Sequence, residues 1–341
     1  MAKKLEFRRL LAAPSPDELL TRAFRRASRA ADAMRARGKP IGIAKQREAE
    51  RIRVMSQTIR KTLTKLVTAT PSLSNLPPFY KELVAALVNV DDVRKSLGAI
   101  DGTAKIIRRL EREHIRRLRA VSSLGGTSAI RRQAYGRISS TVKRAGDHLA
   151  ILREAEGKLA DIPSVFIEMP TIVIAGYPNV GKTMLLRRLT GSEPKIAPYP
   201  FTTKGLNLGY FERGYKRYQI IDTPGLLDRP LEERNPIERQ AIAALRHLAD
   251  VVVFMLDPSG TCGYDFERQL HLLEDIRKTF SNVIVVINKT DLLDEQRVRE
   301  VRELCKDAVF IAAATDQGVP ELEKIIRSIK SKLTGKIVWF R

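Results

Sequence analysis

The sequence predicts an all-α helical bundle over residues 1–165, an α/β domain over 166–334 whose sheet is mostly parallel with one antiparallel hairpin, and a short tail over 335–341. Three observations carry this reading. Before Pro163 the apolar residues recur at helical spacing over long stretches, with no strand-period segment of any length. After it, short β-branched runs (TIVIAG, YQIIDTPG, VVVFMLD, NVIVVINK, AVFIAAAT) alternate with helical stretches, the pattern of a parallel sheet covered on both faces. Charge is also divided unequally: residues 1–165 hold 35 Lys+Arg against 16 Asp+Glu, and 166–341 hold 26 against 23, so most of the net charge of +22 belongs to the front half.

The elements follow in order. Ser15-Pro16-Asp17-Glu18 opens a helix with a hydroxyl cap, a proline in the first turn and a glutamate placed to close a capping box. That helix runs to about residue 38, and a second covers about 43–68 before PSLSNLPP breaks it. Shorter helices are expected in FYKELVAALVNV and DDVRKSLGAI, then two long ones over about 103–123 and 128–160, separated by a Leu-Gly-Gly turn. In the α/β part the hairpin is LNLGYFERGYKRYQIID, with its turn at Arg213-Gly214. There is no internal repeat and no low-complexity segment.

Composition excludes several classes. No window offers the roughly 18 consecutive apolar residues of a membrane-spanning helix, and MAKKLEFRRL lacks the apolar core of a signal peptide, so a cytoplasmic location is expected. Two cysteines, Cys262 and Cys305, and four scattered histidines give neither a disulfide framework nor zinc-ligand spacing. Neither cysteine adjoins a cationic cluster that would stabilise a thiolate, so both read as packing residues. The basic front half points to a polyanionic partner, most simply nucleic acid, against the plainer alternative of solvated arginine-rich helix faces. The stretches IIRRLEREHIRRLR and AIRRQAYGRISSTVKR are the expected phosphate contacts. They lack aromatic platforms for single-stranded bases and so favour duplex or shape recognition.

The chemistry is concentrated in the second domain. GYPNVGKT matches G-x-x-x-x-G-K-[ST] through Gly176, Gly181, Lys182 and Thr183, between a predicted strand and a predicted helix. Glycines let N–H groups curl round phosphate oxygens, the lysine reaches the β- and γ-phosphates, and the threonine hydroxyl binds Mg²⁺; Tyr177, Pro178, Asn179 and Val180 complete this P-loop. Forty residues after Lys182, Asp222-Thr223-Pro224-Gly225 ends a strand, where Asp222 holds Mg²⁺ through water and the Gly225 N–H senses a γ-phosphate. Asn288-Lys289-Thr290-Asp291 ends a later strand, and a carboxylate there accepts from guanine N1–H and its 2-amino group, a donor pair adenine lacks. These segments specify an α/β P-loop GTPase domain binding GTP or GDP. In PYPFTTKG, Phe201, Thr202 and Thr203 flank the phosphates, Thr203 being preferred over Thr202 as cap for Mg²⁺ and the γ-phosphate. Ala312-Ala313 stands where a Ser-Ala backbone meets guanine O6.

Hydrolysis is less fully specified. The position after the DxxG glycine, often a water-orienting glutamine, is Leu226. Slow intrinsic turnover is expected, with Thr203 and Gly225 at the γ-phosphate and with help from Mg²⁺, a partner, or a K⁺ ion held by Asn179; alternatively Asn179 only shapes the loop. Release of the γ-phosphate would loosen segments 195–206 and 225–240.

GYPNVGKT, PYPFTTKGLNLGY, IIDTPGLLDRPLEERNPIERQAIAAL and DPSGTCGYDFERQ, together with PPFYKELVAALVNVDD in the helical half, resemble the nucleolar GTP-binding protein 1 family of the Obg-like GTPases over most of residues 15–330. The resemblance implies a GTP-controlled factor that docks on the precursor of the large ribosomal subunit, with its helical bundle near rRNA and ribosomal proteins within reach. The sequence stops at Arg341, which is similar to the compact archaeal form. Two other readings stay open: a GTPase of tRNA modification or translation, which shares the leucine after DTPG, and a non-catalytic RNA-binding scaffold with structural GTP. Trp339 lies in the tail KIVWFR, which reads as a strand or docking segment rather than a base-stacking one. Membrane-surface binding is disfavoured, because the arginines surround the helices without an aromatic apolar face.

Overall fold

The computed structural model describes Phe7 and residues 12–35, 37–200 and 205–328. Among them, contacts gather 12–73 and 87–160 into one unit and Phe7, 74–86 and 161–328 into another. Residues 74–86 group by contacts with the α/β part rather than with the other helices.

The helical unit begins with α1 (Pro16–Asp32), where Ser15 Oγ accepts from Glu18 N–H at 3.2 Å and Glu18 Oε2 accepts from Ser15 N–H at 2.7 Å. Its buried stripe is Leu19, Leu20, Ala23, Ala27 and Ala31, small enough to let α2 (Pro40–Ala69) approach closely. Helix α3 (Pro78–Leu87) follows in sequence, largely within the other unit, and α4 (Val90–Ala120) returns to pack on α2. Where two helices were expected, α4 is continuous through Gly98 and Gly102. Each glycine weakens a helix interior by about 1 kcal/mol, but Val93, Ile100, Ala104, Ile107 and Leu110 form one buried stripe across both, and packing prevails.

The Leu-Gly-Gly expected as a turn is the first turn of α5 (Leu124–Arg144), because Ser123 Oγ accepts from Gly126 N–H at 3.2 Å. The last expected helix is divided at Ala145 into α5 and α6 (Gly146–Leu159). No helix among the described residues is long and apolar enough to cross a membrane.

The other unit is built on seven strands: β1 (Thr171–Ala175), β2 (Lys195–Ala197), β3 (Leu206–Arg213), β4 (Lys216–Asp222), β5 (Val251–Leu256), β6 (Val283–Ile287) and β7 (Val309–Phe310). Their order is β2-β3-β4-β1-β5-β6-β7. Strands β4, β1, β5, β6 and β7 run parallel, while β2 and β3 pair antiparallel, so the mixed sheet with one hairpin agrees with the alternation and the LNLGYFERGYKRYQIID segment. The hairpin turn falls at Gly214-Tyr215, since Arg213 pairs with Lys216. Helices α7 (Lys182–Thr190), α8 (Pro236–Leu248), α9 (Phe266–Thr279), α10 (Glu295–Leu304) and α11 (Val319–Ser328) alternate with the strands. Strands β1 and β5 are buried throughout. Strand β1 lies between β4 and β5, and the carboxyl ends of the parallel strands share one edge, where open α/β sheets bind ligands.

Tyr80 explains why residues 74–86 group with the sheet. Its fully buried hydroxyl accepts the Val165 N–H at 3.2 Å and lies 3.3 Å from the Pro163 carbonyl, and its ring meets Phe7 at 5.6 Å. Burial pushes its phenol up to about 12, against the lowering effect of the Val165 hydrogen bond. Because the folded state favours the neutral phenol, its contribution is complete below pH 10 and is lost as pH rises toward 12. Tyr80→Phe is expected to reduce stability at neutral pH by about 1 kcal/mol and to flatten the alkaline loss; denaturant titrations at neutral and alkaline pH check both.

Candidate functional site

The loop after β1 turns sharply back toward the sheet. Gly176 N–H donates to the Leu227 carbonyl at 3.0 Å, and Asn179 takes the left-handed backbone at φ 62° with its side chain exposed. Gly181, at φ 106°, begins α7 where an added Cβ would collide with Asn288 Nδ2, so only glycine fits. Val180 is buried and its carbonyl accepts from Asn288 Nδ2 at 2.8 Å. Lys182 is 8% exposed, its ammonium donating to the Gly176 and Tyr177 carbonyls at 2.7 Å each. The cationic head thus sits against the curl of the loop. The Tyr177 ring lies 4.6 Å from that of Tyr264, and beside them Pro178, Asp228, Glu232 and Arg268 line a cleft of about 800 Å³.

At the end of β4, Thr183 Oγ1 donates to Asp222 Oδ2 at 2.7 Å and Asn207 Nδ2 donates to the same oxygen at 2.9 Å. Asp222 is fully buried, and its Oδ1 has no hydrogen-bond partner among the described residues. A buried carboxylate oxygen without a donor beside a threonine hydroxyl suits a hard cation. Among the described residues no group of three or more His, Cys, Asp or Glu converges as a protein-only cage. The donor set therefore fits Mg²⁺, which keeps waters and completes its shell with phosphate oxygens. Thr223 is buried and its Oγ1 donates to the Ile174 carbonyl at 3.1 Å, fixing the turn at Pro224. The Gly225 N–H donates to Asp228 Oδ2 at 2.9 Å, and Leu226 is 1% exposed, turned into the core.

The third segment follows β6. Besides its bond to Val180, Asn288 accepts the Ala313 N–H at 3.0 Å through Oδ1, joining the loop after β1 to the loop after β7. Lys289, at φ 60°, extends its ammonium to Asp257 at 2.6 Å and to Thr261 Oγ1 at 2.7 Å. Burial works to raise the Asp257 carboxyl, but hydrogen bonds from Lys289 and Ser259 outweigh it and hold it below the usual carboxylate range. Thr290 Oγ1 donates to the Ile311 carbonyl at 3.0 Å, and the Asp291 side chain is exposed. Ala312 and Ala313 are buried, with their N–H groups given to the Gln317 carbonyl and Asn288 Oδ1.

The fold thus brings Gly176 to Thr183, Asp222 to Gly225, Asn288 to Asp291 and Ala312-Ala313 to one edge of the sheet. Phe201, Thr202 and Thr203 lie outside the described residues, as does the 335–341 tail with Trp339. Sequence reading missed Asn207, Asp257 and Arg234. Asn207 pairs across the hairpin with Asp222, a register that becomes readable only once the turn is fixed. Asp257 was visible as a carboxylate directly after an apolar strand.

The helical unit carries a basic surface. Arg108, Arg112 and Arg116 are exposed on α4 at i, i+4 spacing, and none has an ion-pair partner among the described residues. Of the second arginine-rich stretch, Arg131 and Arg137 are instead engaged with Glu48 and Glu113. A groove of about 410 Å³ that was not expected from sequence lies along α1 and α2, lined by Arg22, Arg26, Gln57, Lys61, Thr62 and Lys65.

The chain is similar to several known proteins. A family profile described as the NOG1 N-terminal helical domain matches residues 7–165, and one described as nucleolar GTP-binding protein 1 (NOG1) matches residues 236–291. An uncharacterized protein of Methanocaldococcus jannaschii is 42% identical over 83% of this chain and 80% of its own length. Nucleolar GTP-binding protein 1 of Caenorhabditis elegans is 32% identical over 98% of this chain and 52% of its own length, so the chain spans about half of that relative. A solved structure assigned as nucleolar GTP-binding protein 1 of Plasmodium falciparum is 29% identical, covering 49% of this chain and 89% of that one, with a TM-score of 0.43.

Proposed function

The chain belongs to the nucleolar GTP-binding protein 1 family, and from that premise we propose that it is a GTP-binding and GTP-hydrolysing assembly factor for the large ribosomal subunit. The observation that carries the proposal is the meeting of Lys182, Thr183, Asp222 and the Asn288–Asp291 segment at the carboxyl edge of one sheet. In this reading the N–H groups of 176–183 and the Lys182 ammonium cradle the phosphates. The Asp291 carboxylate pairs with guanine N1–H and the 2-amino group, while Asn288 keeps the base-side loop in register with the phosphate loop. Thr183 and Asp222 hold Mg²⁺, which supplies charge neutralisation at the phosphates. Gly225 and Thr203 answer to the γ-phosphate.

Leu226 in the core leaves no side chain at the usual water-orienting position, which supports slow intrinsic turnover. The same observation favours a second reading, a non-catalytic scaffold with structural GTP. The left-handed, exposed Asn179 supports the K⁺ role. For docking, the unpaired arginines of α4 and the α1/α2 groove support contact with rRNA phosphates on the precursor particle, with ribosomal proteins as further neighbours. The compartment is that of the particle, the cytoplasm in the sequence reading.

Three measurements test this. Calorimetry with magnesium should detect GTP and GDP but not ATP, and Asp291→Asn should exchange guanine for xanthine nucleotides because an amide NH₂ faces the xanthine 2-oxo group; preference for ATP overturns the reading. Single-turnover hydrolysis on large subunits should run faster in KCl than in NaCl. Equal rates remove the K⁺ role, and no hydrolysis at all favours the scaffold. Affinity for ribosomal RNA should fall by about a thousandfold from roughly 50 to 200 mM salt if some six phosphates are engaged, whereas a flat response points to a protein partner.

A further inference from the structure

The segment after Gly225 holds its own closed set of bonds. The Gly225 N–H donates to Asp228 Oδ2 at 2.9 Å, and its carbonyl accepts from Arg234 Nη1 at 2.8 Å. Arg234 Nη2 donates to Asp228 Oδ1 at 2.9 Å, closing a ring of three residues. The Arg234 side chain is fully buried and that of Asp228 is 15% exposed. Asn235 then caps α8 in a capping box with Glu238, and Arg239 Nε donates to the Arg234 carbonyl at 3.2 Å, so the ring is anchored to a helix. The nucleotide reading assigns none of these contacts a role.

We propose that Asp228 and Arg234 form a latch on Gly225 that competes directly with the γ-phosphate and thereby sets how strongly the chain distinguishes a nucleoside triphosphate from a diphosphate. The latch rests on the GTP reading above and on a valence limit: Gly225 has one N–H, and a carboxylate acceptor and a phosphate oxygen cannot both hold it along the same direction. The carboxylate also brings a negative charge to the place a phosphate must approach, adding repulsion to competition. A diphosphate makes no such demand and leaves the ring closed.

Three features make the latch releasable. Arg234 Nε is buried with no acceptor among the described residues, so the closed ring leaves one donor unsatisfied. Asp228 also lines the cleft beside Tyr177 and Pro178, which gives its side chain somewhere to go when the N–H is taken. The positive φ of Gly225, 78°, lets its peptide reorient without the strain another residue would add.

The test compares the wild-type chain with Asp228→Ala and the milder Asp228→Asn. In the nucleotide-free protein, Asp228→Ala should speed hydrogen exchange at the Gly225 amide at least about tenfold, as expected for loss of a charge-assisted acceptor. The affinity ratio of a non-hydrolysable GTP analogue to GDP should rise about tenfold, with GDP affinity little changed and Asp228→Asn in between. An unshifted ratio in variants that still bind GDP, or unchanged exchange at Gly225, overturns the latch alone. A wild-type chain that binds neither nucleotide overturns the underlying reading, whatever the exchange data show.

Discussion

The site depends on one buried amide. Asn288 must satisfy both ends of its side chain inside the protein, and it does so by donating to Val180 and accepting from Ala313. That single group fixes the loop after β1 to the loops after β6 and β7. The close approach explains Gly181 as well, because the amide occupies the volume a Cβ would need. Arg188 supports the same corner, donating through Nε to the Ala313 carbonyl at 3.0 Å.

Asp222 and Asp257 illustrate two ways a buried carboxylate is tolerated. Asp257 is compensated within the protein by Lys289, Ser259 and Thr261. Among the described residues Asp222 is compensated on one oxygen alone, by Thr183 and Asn207. A buried carboxylate oxygen without a donor is costly unless some other group satisfies it.

Charge is divided unequally between the two halves of the chain, with the front half strongly basic and residues 166–341 only slightly so. Arg51, Arg53 and Arg60 of α2 and Arg131 and Arg137 of α5 are spent on internal pairs, whereas Arg108, Arg112 and Arg116 of α4 have no ion-pair partner among the described residues. Net charge is therefore a poor guide to which arginines are available. Glu111 and Glu113, the carboxylates three residues from Arg108 and Arg116, pair instead with Arg60, Arg117 and Arg137.

The sequence by itself determined the two architectures, the hairpin, the phosphate loop and the order of the nucleotide segments, because helical and strand periods and glycine-bounded turns are local properties of the chain. Tertiary packing decided the rest. It carried α4 through two glycines, put Leu-Gly-Gly inside a helix and drew residues 74–86 to the sheet unit through Tyr80. It also set Asn207 against Asp222 and closed Asp228 and Arg234 on Gly225. Each of these depends on which surfaces are buried together or which strands fall in register, and no local pattern encodes the burial of one side chain by residues far along the chain.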